Sequence, residues 1–342
     1  MNKKKVLLGM SGGVDSSVAA FLLKEQGFEV IGVTLLLTET DDGSAAKDAK
    51  AVCERLSIEH ITRDLKKEFK AYVTDAFTKA YKEGKTPNPC VVCNKMIKFG
   101  EMMNIADELG IEKLATGHYA KIVEEDGKFY LKKAAFLEKD QTYFLYTLPQ
   151  ETLTRIIMPL GDYTKDEVRK IAEENAFTTA HKKDSQDICF IPDGDKNKYL
   201  SRFLPEKKGA FLDTDGNTIG THTGAFKFTI GQRKGLGMGF GKPMFVLETD
   251  TKNNTVTLGD NDSLNRTEFF ISDASFSALE TIPETLSCFV KVRYSAKEVP
   301  CTIKKTDGAF KVTLSSPARA ITPGQAAVFY DGDTLLGGGT II

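Results

Sequence analysis

The chain has 342 residues, of which 41% are hydrophobic and 27% charged, a composition typical of a globular protein with two or three domains. Its net charge is -1, so it lacks the surplus positive charge typical of nucleic-acid-binding proteins, and any basic surface has to be local. No apolar stretch reaches 18 residues, which excludes a membrane-spanning helix, and we expect a cytoplasmic protein whose six cysteines are reactive or buried thiols rather than disulfides.

The first 205 residues alternate short apolar segments with amphipathic ones. Apolar residues at helical spacing, such as Val18, Leu22 and Leu23, predict helices, and the apolar runs between them predict strands. In chain order we expect strand 6–10, helix 16–26, strand 29–37, helix 45–56, strand 59–62, helix 65–82, helix 96–109 and strand 113–116. This order indicates an α/β fold with a parallel sheet covered on both faces, whose ligands lie beyond the carboxyl ends of the strands.

The character of the chain changes near residue 205, after which glycines, prolines and short alternating segments predominate. We predict a catalytic domain at 1–205, a small central module at 206–265 and an all-β C-terminal domain at 266–342. Period-two alternation at 289–294 and 310–314 predicts strands of a barrel or sandwich.

Residues 9–18, GMSGGVDSSV, directly follow the first predicted strand. Gly12 and Gly13 allow a backbone to approach an anion closely, and the next helix adds its N-terminal amides. The hydroxyls of Ser11, Ser16 and Ser17 are further donors, and the Asp15 carboxylate suits Mg²⁺. The lysine of a Walker A loop is missing, so the loop is better suited to reaction at the α-phosphate of ATP, with pyrophosphate leaving. The stretch resembles the S-G-G-x-D-S signature of the PP-loop ATP-pyrophosphatase superfamily.

The six cysteines divide into two groups. Cys53, Cys288 and Cys301 lie in predicted helix or strand and are expected to be small buried residues. Cys90 and Cys93 form a C-x-x-C motif in a proline-stiffened loop, and zinc would require two more ligands, which the isolated His118 and His181 do not supply.

Cys189 lies in a polar loop, where Lys182 and Lys183 are expected to lower its pKa and favour the thiolate. Adenylation combined with reactive cysteines suggests sulfur transfer.

Seven segments then make the resemblance specific. They are TPNPCVVCN (86–94), ATGHYA (115–120), KDQTYFLYTL (139–148), DSQDICFIP (184–192), TIGQRKGLG (229–237), KVRY (291–294) and ARAITPGQAAVFYDGD (318–333). Together they resemble the tRNA-specific 2-thiouridylase family along essentially the whole chain. The implied fold is a PP-loop (adenine nucleotide α-hydrolase-like) domain, a small central module and a C-terminal β-barrel.

The resemblance implies ATP- and Mg²⁺-dependent thiolation at C2 of wobble uridine 34 in tRNAs for Lys, Glu and Gln. After adenylation of the C2 oxygen, a persulfide on Cys189 would deliver sulfur and Cys93 would form a disulfide with Cys189, with AMP and pyrophosphate released. A cysteine desulfurase or a sulfur-relay protein would be the sulfur donor.

The resemblance also implies a role for particular residues. The expected ATP-binding residues are Gly9, Met10, Ser11, Gly12, Gly13, Val14, Asp15, Ser16, Leu35 and Gly117. The expected contacts to the target base are Asn88, Pro89 and Cys90, with the chemical role of Cys90 open because some members carry Asp there. The expected tRNA contacts are His118, Lys139, Asp140, Gln141, Arg293, Tyr294 and Gln325. Tyr119 and Tyr294 are candidates for stacking on an unstacked base, and Arg233 and Lys234 for a basic turn on RNA.

Three alternatives stay open from the residues alone. A [4Fe–4S] cluster on Cys90, Cys93 and Cys189 is one, since cysteine thiolates are its usual ligands. A small-molecule PP-loop synthetase is another, although it has no use for paired cysteines or a KVRY-bearing β domain. A non-catalytic tRNA-binding paralogue is the third. It is suggested by residues 35–43, LLLTETDDG, where family members often carry a Met-Lys-x-Trp-like stretch and this chain has no tryptophan.

Overall fold

The computed structural model describes residues 4–182 and 188–342. Its N-terminal part contains seven strands: β1 Lys5–Gly9, β2 Glu29–Leu36, β3 Glu59–Asp64, β4 Lys113–Ala115, β5 Lys121–Glu125, β6 Lys128–Lys132 and β7 Ile156–Ile157. Five of them form a parallel sheet in the order β3-β2-β1-β4-β7. The predicted parallel α/β sheet is confirmed.

Helices cover both faces of this sheet. They are α1 Val14–Glu25, α2 Ser44–Leu56, α3 66–82, α4 89–108, α5 Gln150–Leu153, α6 Lys165–Glu174 and α7 Lys196–Leu200. Leu7 of β1 packs with α3 and α4, whereas Val6 and Leu8 pack with α1, α2 and α6. Burial on both sides explains why β1 is a continuous apolar run rather than an alternating one.

Both α3 and α4 contain a π-helical stretch, Lys70–Thr74 in α3 and Asn94–Glu101 in α4. The predicted start of α4 at residue 96 is wrong, because the helix already begins at Pro89. Proline is favoured at the first helical position, and the Asn88 side chain caps the helix by accepting a hydrogen bond from the amide of Cys90 at 3.1 Å. The C-x-x-C motif is therefore the first turn of a helix and not a loop.

The central module is a four-stranded sheet in the order β10-β11-β8-β9. Its strands are β8 Gly209–Leu212, β9 Thr218–His222, β10 Phe245–Asp250 and β11 Thr255–Gly259. It has its own apolar core, which includes Phe211, Phe228 and Val246.

The C-terminal part is a closed barrel, which confirms the barrel rather than the sandwich among the two predicted folds. Its strands are β12 Asn265–Ser275, β13 Thr285–Lys291, β14 Val299–Thr306, β15 Ala309–Arg319, β16 Ala326–Asp331 and β17 Thr334–Ile341. They follow the order β12-β15-β14-β13-β16-β17, and pairing of β12 with β17 closes the ring.

The hairpin β5–β6, which the sequence analysis did not predict, pairs with β17 and so joins the sheet of the barrel. The predicted domain limits stay predictions, but the catalytic part and the barrel share a sheet. Among the described residues, no helix is both long and apolar enough to cross a bilayer.

Candidate nucleotide and thiol site

The glycine-serine loop lies where β1 ends and α1 begins. In the sheet β1 and β4 are neighbours, and the chain continues from β1 to β2 on one side and from β4 to β7 on the other, so the connections after these two strands leave in opposite directions. A crevice forms at such a switch point, and open α/β sheets bind their ligands there.

Glycine is required at two positions around this loop. Gly12 has φ +67°, and a Cβ there would lie 2.5 Å from the carbonyl oxygen of Ala45. A Cβ on Gly117, which follows β4, would lie 2.9 Å from the amide nitrogen of Ser16. The loop after β4 thus touches the backbone of the glycine-serine loop.

The hydroxyls of this loop are largely used to hold its own shape. Ser16 and Ser17 donate to the carbonyl of Gly13 at 3.1 and 2.9 Å, and the amide of Ser11 donates to Ser16 Oγ at 3.2 Å. Ser17 is fully buried and accepts a hydrogen bond from Thr179 at 3.0 Å. The expectation that Ser17 offers a donor to a ligand is therefore wrong, because its hydroxyl already donates to the Gly13 carbonyl within the loop.

Asp15 is held by two residues that are far away in sequence. Lys165 Nζ donates to its two carboxylate oxygens at 2.7 and 2.9 Å, and the Tyr119 hydroxyl donates to Oδ1 at 2.7 Å. Tyr119 is only 3% exposed, so its predicted role in stacking on a base is wrong. Lys182 binds the same loop from another direction, by donating to the carbonyl of Gly12 at 2.9 Å and pairing with Asp48.

The three candidate thiols act on one another electrostatically. Cys93 is buried in the first turn of α4, whereas Cys90 and Cys189 are exposed. The pKa of Cys93 is raised to about 12, chiefly by desolvation, with smaller upward contributions from the charges of Cys189 and Cys90. Desolvation also raises the pKa of Cys90 and of Cys189, and Cys90 contributes to the shift at Cys189. These mutual effects indicate that the C-x-x-C turn and the Cys189 loop lie near each other.

The lysine that acts on these thiols is Lys98, which the sequence analysis missed. Its charge lowers the pKa of Cys90, Cys93 and Cys189, against the larger effect of desolvation. Lys98 lies in the π-helical part of α4, where a turn joins residue i to residue i+5, so it follows Cys93 by one turn. In a regular α-helix Lys98 would lie on a different face from Cys93. The sequence carries no signal that predicts the wider π-helical turn.

The expectation that neighbouring lysines lower the pKa of Cys189 is wrong. Lys182 is engaged by Gly12 and Asp48, and the net direction at Cys189 is upward. Lys183, the other lysine proposed, lies outside the described residues, as do residues 184–187 of the DSQDICFIP segment.

No group of three His, Cys, Asp or Glu side chains within 4–182 and 188–342 is arranged to bind a metal. All three cysteines proposed for an iron–sulfur cluster belong to this part of the chain, so the geometry gives that alternative no support.

His118 and Asp140, two expected tRNA contacts, are buried. Thr116 Oγ1 lies 2.7 Å from Nδ1 of His118, and burial together with the Lys98 charge lowers the pKa of His118 well below its usual value. Asp140 accepts hydrogen bonds from the amide of Ala134 at 3.0 Å and from Thr142 at 2.6 Å, and burial raises its pKa. Their contacts to tRNA stay predictions.

The neighbouring expected contacts are more accessible. Gln141 and Tyr119 exchange hydrogen bonds at 2.9 Å through the Gln141 side chain and backbone, and Lys139 ends a 3₁₀ turn, half-buried. Tyr294 is exposed, with its ring 4.5 Å from that of Phe144.

Arg293 and Gln325 of the barrel bind backbone carbonyls of the other two parts. Arg293 donates to Ile230 of the central module at 3.1 Å, and to Ala320 at 2.8 Å. Gln325 donates to Thr86 at 2.8 Å, just before the Asn88 cap of α4. Both residues therefore join the barrel to the segments that flank the site.

Leu35, near the end of β2, is half-buried against the core on the α3 and α4 side. Gly9, Met10 and Val14 form the strand end and helix start that carry the loop. The expected nucleotide residues thus lie near the carboxyl ends of β1, β2 and β4, and their contacts to ATP stay predictions.

A parallel α/β sheet with this loop at its switch point defines a PP-loop nucleotide-binding protein. Family models match the chain in three parts: a tRNA methyl transferase HUP domain at residues 4–193, a tRNA methyl transferase PRC-barrel domain at 197–260 and an aminomethyltransferase beta-barrel domain at 266–341.

The chain is 46% identical to the tRNA-specific 2-thiouridylase MnmA of Clostridioides difficile, over 99% of this chain and 98% of that protein. It is 45% identical to the protein of the same name from Acetivibrio thermocellus, over the full length of both. The chain belongs to the tRNA-specific 2-thiouridylase family. A solved 4-thiouridine synthetase in complex with RNA and ATP is also similar, with 21% identity, a TM-score of 0.37 and coverage of 59% of this chain and 50% of that one.

Proposed function

We propose that this protein thiolates C2 of a wobble uridine in tRNA, with ATP as the activating substrate and a persulfide as the sulfur carrier. The observation that carries the proposal is the combination of a PP-loop crevice with electrostatically coupled Cys90, Cys93 and Cys189 in a full-length relative of 2-thiouridylases.

ATP would lie at the start of α1, with its phosphates on the backbone amides after Gly12. The Asp15 carboxylate, which Lys165 and Tyr119 bind in this structure, would hold Mg²⁺, an ion that commonly binds one or two carboxylates together with substrate phosphates. When bound, the ion would neutralise charge on the phosphates as the C2 oxygen attacks the α-phosphate and pyrophosphate leaves. Gly117 would let the nucleotide approach the end of β4.

Sulfur transfer would follow in two steps. The terminal sulfur of a Cys189 persulfide attacks C2 of the adenylated uridine, and AMP leaves with the former C2 oxygen. The Cys93 thiolate then attacks Cys189 Sγ, which releases 2-thiouridine and leaves a Cys93–Cys189 disulfide. An external thiol has to reduce this disulfide before the next turnover. Desolvation raises the pKa of Cys93 to about 12 and so favours the thiol, while the charge of Lys98 acts in the opposite direction and favours the thiolate.

Recognition of tRNA would use the surface around this crevice. The wobble base has to leave the anticodon stack to reach the thiols, and the exposed Tyr294 ring is a suitable stacking partner for an unstacked base. Asn88 and Pro89, which are half-buried, and the exposed Cys90 form the start of α4 beside Cys93.

The test is thiolation of unmodified glutamate or lysine tRNA with ATP, Mg²⁺, cysteine and a cysteine desulfurase, with nucleosides measured by mass spectrometry. Wild type and Cys53→Ala, a buried cysteine of the same domain, are expected to form 2-thiouridine. Cys189→Ser and Cys93→Ser are expected to form none. Cys90→Ala decides whether Cys90 has a chemical role.

Two results would contradict the proposal. Binding of tRNA without ATP-dependent formation of 2-thiouridine by wild type would favour a non-catalytic paralogue. Full activity of Cys189→Ser would exclude Cys189 as the sulfur carrier while leaving the reaction itself in place.

A further inference from the structure

The first turn of α4 carries two cysteines that differ in exposure. Cys90 is exposed, whereas Cys93 is only 7% exposed. The turn Pro89–Cys93 is α-helical, and α-helical geometry sets the Cα atoms of residues i and i+3 about 5 Å apart on one face. Disulfides join residues whose Cα atoms are about 4.4–6.8 Å apart. The turn can therefore hold a Cys90–Cys93 disulfide as well as two free thiols.

Helix α3 places the Cys189 loop beside this turn. The first turn of α4 packs against the π-helical stretch Lys70–Thr74 of α3. Phe190, which follows Cys189, packs edge-on against Phe69 and Phe77 of the same helix, with ring centroids 5.8 and 5.2 Å apart. Phe190 and the C-x-x-C turn belong to one apolar core cluster. The three thiols therefore lie near the start of α4, in agreement with their mutual electrostatic effects.

The proposed sulfur transfer ends with the carrier thiol blocked. While Cys189 is joined to Cys93 it cannot accept another persulfide, and the Cys93 sulfur is buried away from an external reductant. A thiol of the same chain needs no diffusional encounter and acts at an effective concentration of about millimolar or more. Cys90, one helical turn from Cys93, is such a thiol.

We propose that Cys90 is a further catalytic residue, the thiol that resolves the Cys93–Cys189 disulfide by forming a Cys90–Cys93 disulfide in the first turn of α4. This inference deepens the proposed function and rests on its sulfur-transfer step. The external reductant would then be a dithiol that acts on the C-x-x-C disulfide, after Cys189 has already been released.

The step is a thiol–disulfide exchange without net oxidation. Cys90 loses its proton to solvent and its thiolate attacks Cys93 Sγ, so that the Cys90–Cys93 bond forms as the Cys93–Cys189 bond breaks. The electron pair of the broken bond leaves on Cys189, which takes up a proton and is free for the next persulfide. An external dithiol then attacks the exposed Cys90 sulfur, reduces the new disulfide and is itself oxidised to a disulfide.

Burial determines which sulfur Cys90 attacks. Attack on Cys189 Sγ would expel the buried Cys93 thiolate, and the pKa of Cys93 is raised to about 12, chiefly by desolvation. Attack on Cys93 Sγ instead expels Cys189, whose thiolate is exposed to water. Exchange is faster when the leaving thiolate is better stabilised, so it runs towards the C-x-x-C disulfide.

The test locates the disulfide during a single turnover. The full chain is loaded with persulfide by a cysteine desulfurase and cysteine, desalted to remove small thiols, and mixed with unmodified glutamate tRNA and ATP–Mg²⁺. Samples are quenched in acid at successive times, free thiols are alkylated, and non-reduced tryptic peptides are measured by mass spectrometry. Trypsin places Cys90 and Cys93 in peptide 86–95 and Cys189 in peptide 184–196.

In wild type we expect a cross-link between the two peptides to appear first and to be replaced by a disulfide within peptide 86–95. Cys189 is expected to become alkylatable again at the same rate, without any reductant. In Cys90→Ser the cross-link is expected to persist, with one cross-link for each 2-thiouridine formed. Because disulfide is counted relative to product, the result does not depend on how well the variant binds tRNA.

A second measurement compares continued turnover with the first turnover. With dithiothreitol as the reductant, the steady-state rate divided by the first-turnover rate is expected to fall about tenfold or more in Cys90→Ser, because an external dithiol replaces an intramolecular thiol. Cys90→Asp, which introduces the residue that some family members carry, is expected to show the same loss because it has no thiol. Cys53→Ala, which removes a buried cysteine of the same domain, is the matched control and is expected to keep the wild-type ratio and disulfide pattern.

Three outcomes would overturn this inference alone. The first is a wild type that forms 2-thiouridine while peptide 86–95 stays free of an internal disulfide. The second is an internal disulfide that forms with no preceding cross-link, and with no cross-link in Cys90→Ser, since Cys90 would then act before and not after Cys93. The third is an unchanged ratio of rates in both Cys90 variants. Absence of 2-thiouridine in the wild type is a different failure, because it would overturn the proposed function as well.

Discussion

Gly117→Ala tests whether the contact between the loop after β4 and the glycine-serine loop shapes the nucleotide site. The added methyl carbon would lie 2.9 Å from Ser16 N, 3.0 Å from Asp15 C and 3.2 Å from Asp15 O, all of them backbone atoms. Relief of these contacts requires the two segments to separate by about 0.5 Å, and such overpacking typically costs about 1–3 kcal/mol. If this strain falls on the nucleotide-bound geometry, ATP affinity drops by about 5- to 150-fold, at one decade per 1.4 kcal/mol.

The assay is calorimetric titration of ATP, with the free energy of unfolding measured by urea denaturation in parallel. Gly239→Ala is the matched control, because a Cβ there meets no atom within 4 Å, and it is expected to change neither quantity. A Gly117→Ala protein that binds ATP within twofold of wild type, with unchanged stability, would refute the argument. It would mean that the two segments are not held together in the working enzyme.

Three further predictions concern titration and packing. Burial lowers the pKa of His118 in the folded state, whereas in the unfolded state this histidine titrates near pH 6.5. Below pH 6.5 the unfolded state therefore binds more protons, and the free energy of unfolding decreases as the pH is lowered. This loss is up to about 1.4 kcal/mol per pH unit relative to His118→Gln in urea denaturation series, and parallel curves for the two proteins would contradict it. The rate of Cys93 alkylation, measured by peptide mass spectrometry, is expected to rise about tenfold per pH unit from pH 7 to 10 without a plateau. At each pH the rate is expected to be lower in Lys98→Met, since loss of that charge raises the pKa of the thiol. The Sγ atoms of Cys288 and Cys301 lie 3.7 Å apart in the barrel core. Substitution of either residue by Ala is expected to lower the free energy of unfolding by about 1–2 kcal/mol and to leave thiolation unchanged. A loss of thiolation would give the pair a chemical role.

The parallel sheet was predictable because burial on both faces leaves a direct trace in the sequence, the apolar run of β1 between polar turns. The start of α4 was not, because two prolines around Asn88 suggest an irregular loop as strongly as they suggest a capped helix with Pro89 at its first position. The hairpin β5–β6 did carry a signal, since Asp126-Gly127 separates two alternating segments and both residues have positive φ. Its pairing with β17 had no local signal, because strand partners so distant in the chain are set by the tertiary fold.

The same contrast holds for the site. The glycine-serine loop and the cysteines belong to short motifs, so their chemistry could be inferred from neighbouring residues. The partners that hold the loop's carboxylate come from elsewhere in the chain: Lys165 and Tyr119 donate to Asp15 across 150 and 104 residues. Proximity in sequence also misled in one case, because Lys182 lies near Cys189 in the chain but is bound to the glycine-serine loop in the fold.

The barrel contacts the segment that precedes α4 and so helps to position the cysteine motif. Gln325 donates to the carbonyl of Thr86, the Thr86 amide donates back to Pro323 at 2.9 Å, and a Cβ on Gly324 would lie 3.0 Å from the Thr86 backbone. Thr86 is only two residues from the Asn88 cap that starts α4, so the barrel fixes the point from which Cys90 and Cys93 project. A tRNA that engages Arg293 or Gln325 has to exchange contacts with the same carbonyls that hold these segments. RNA binding at either residue would therefore change the restraints on the first turn of α4.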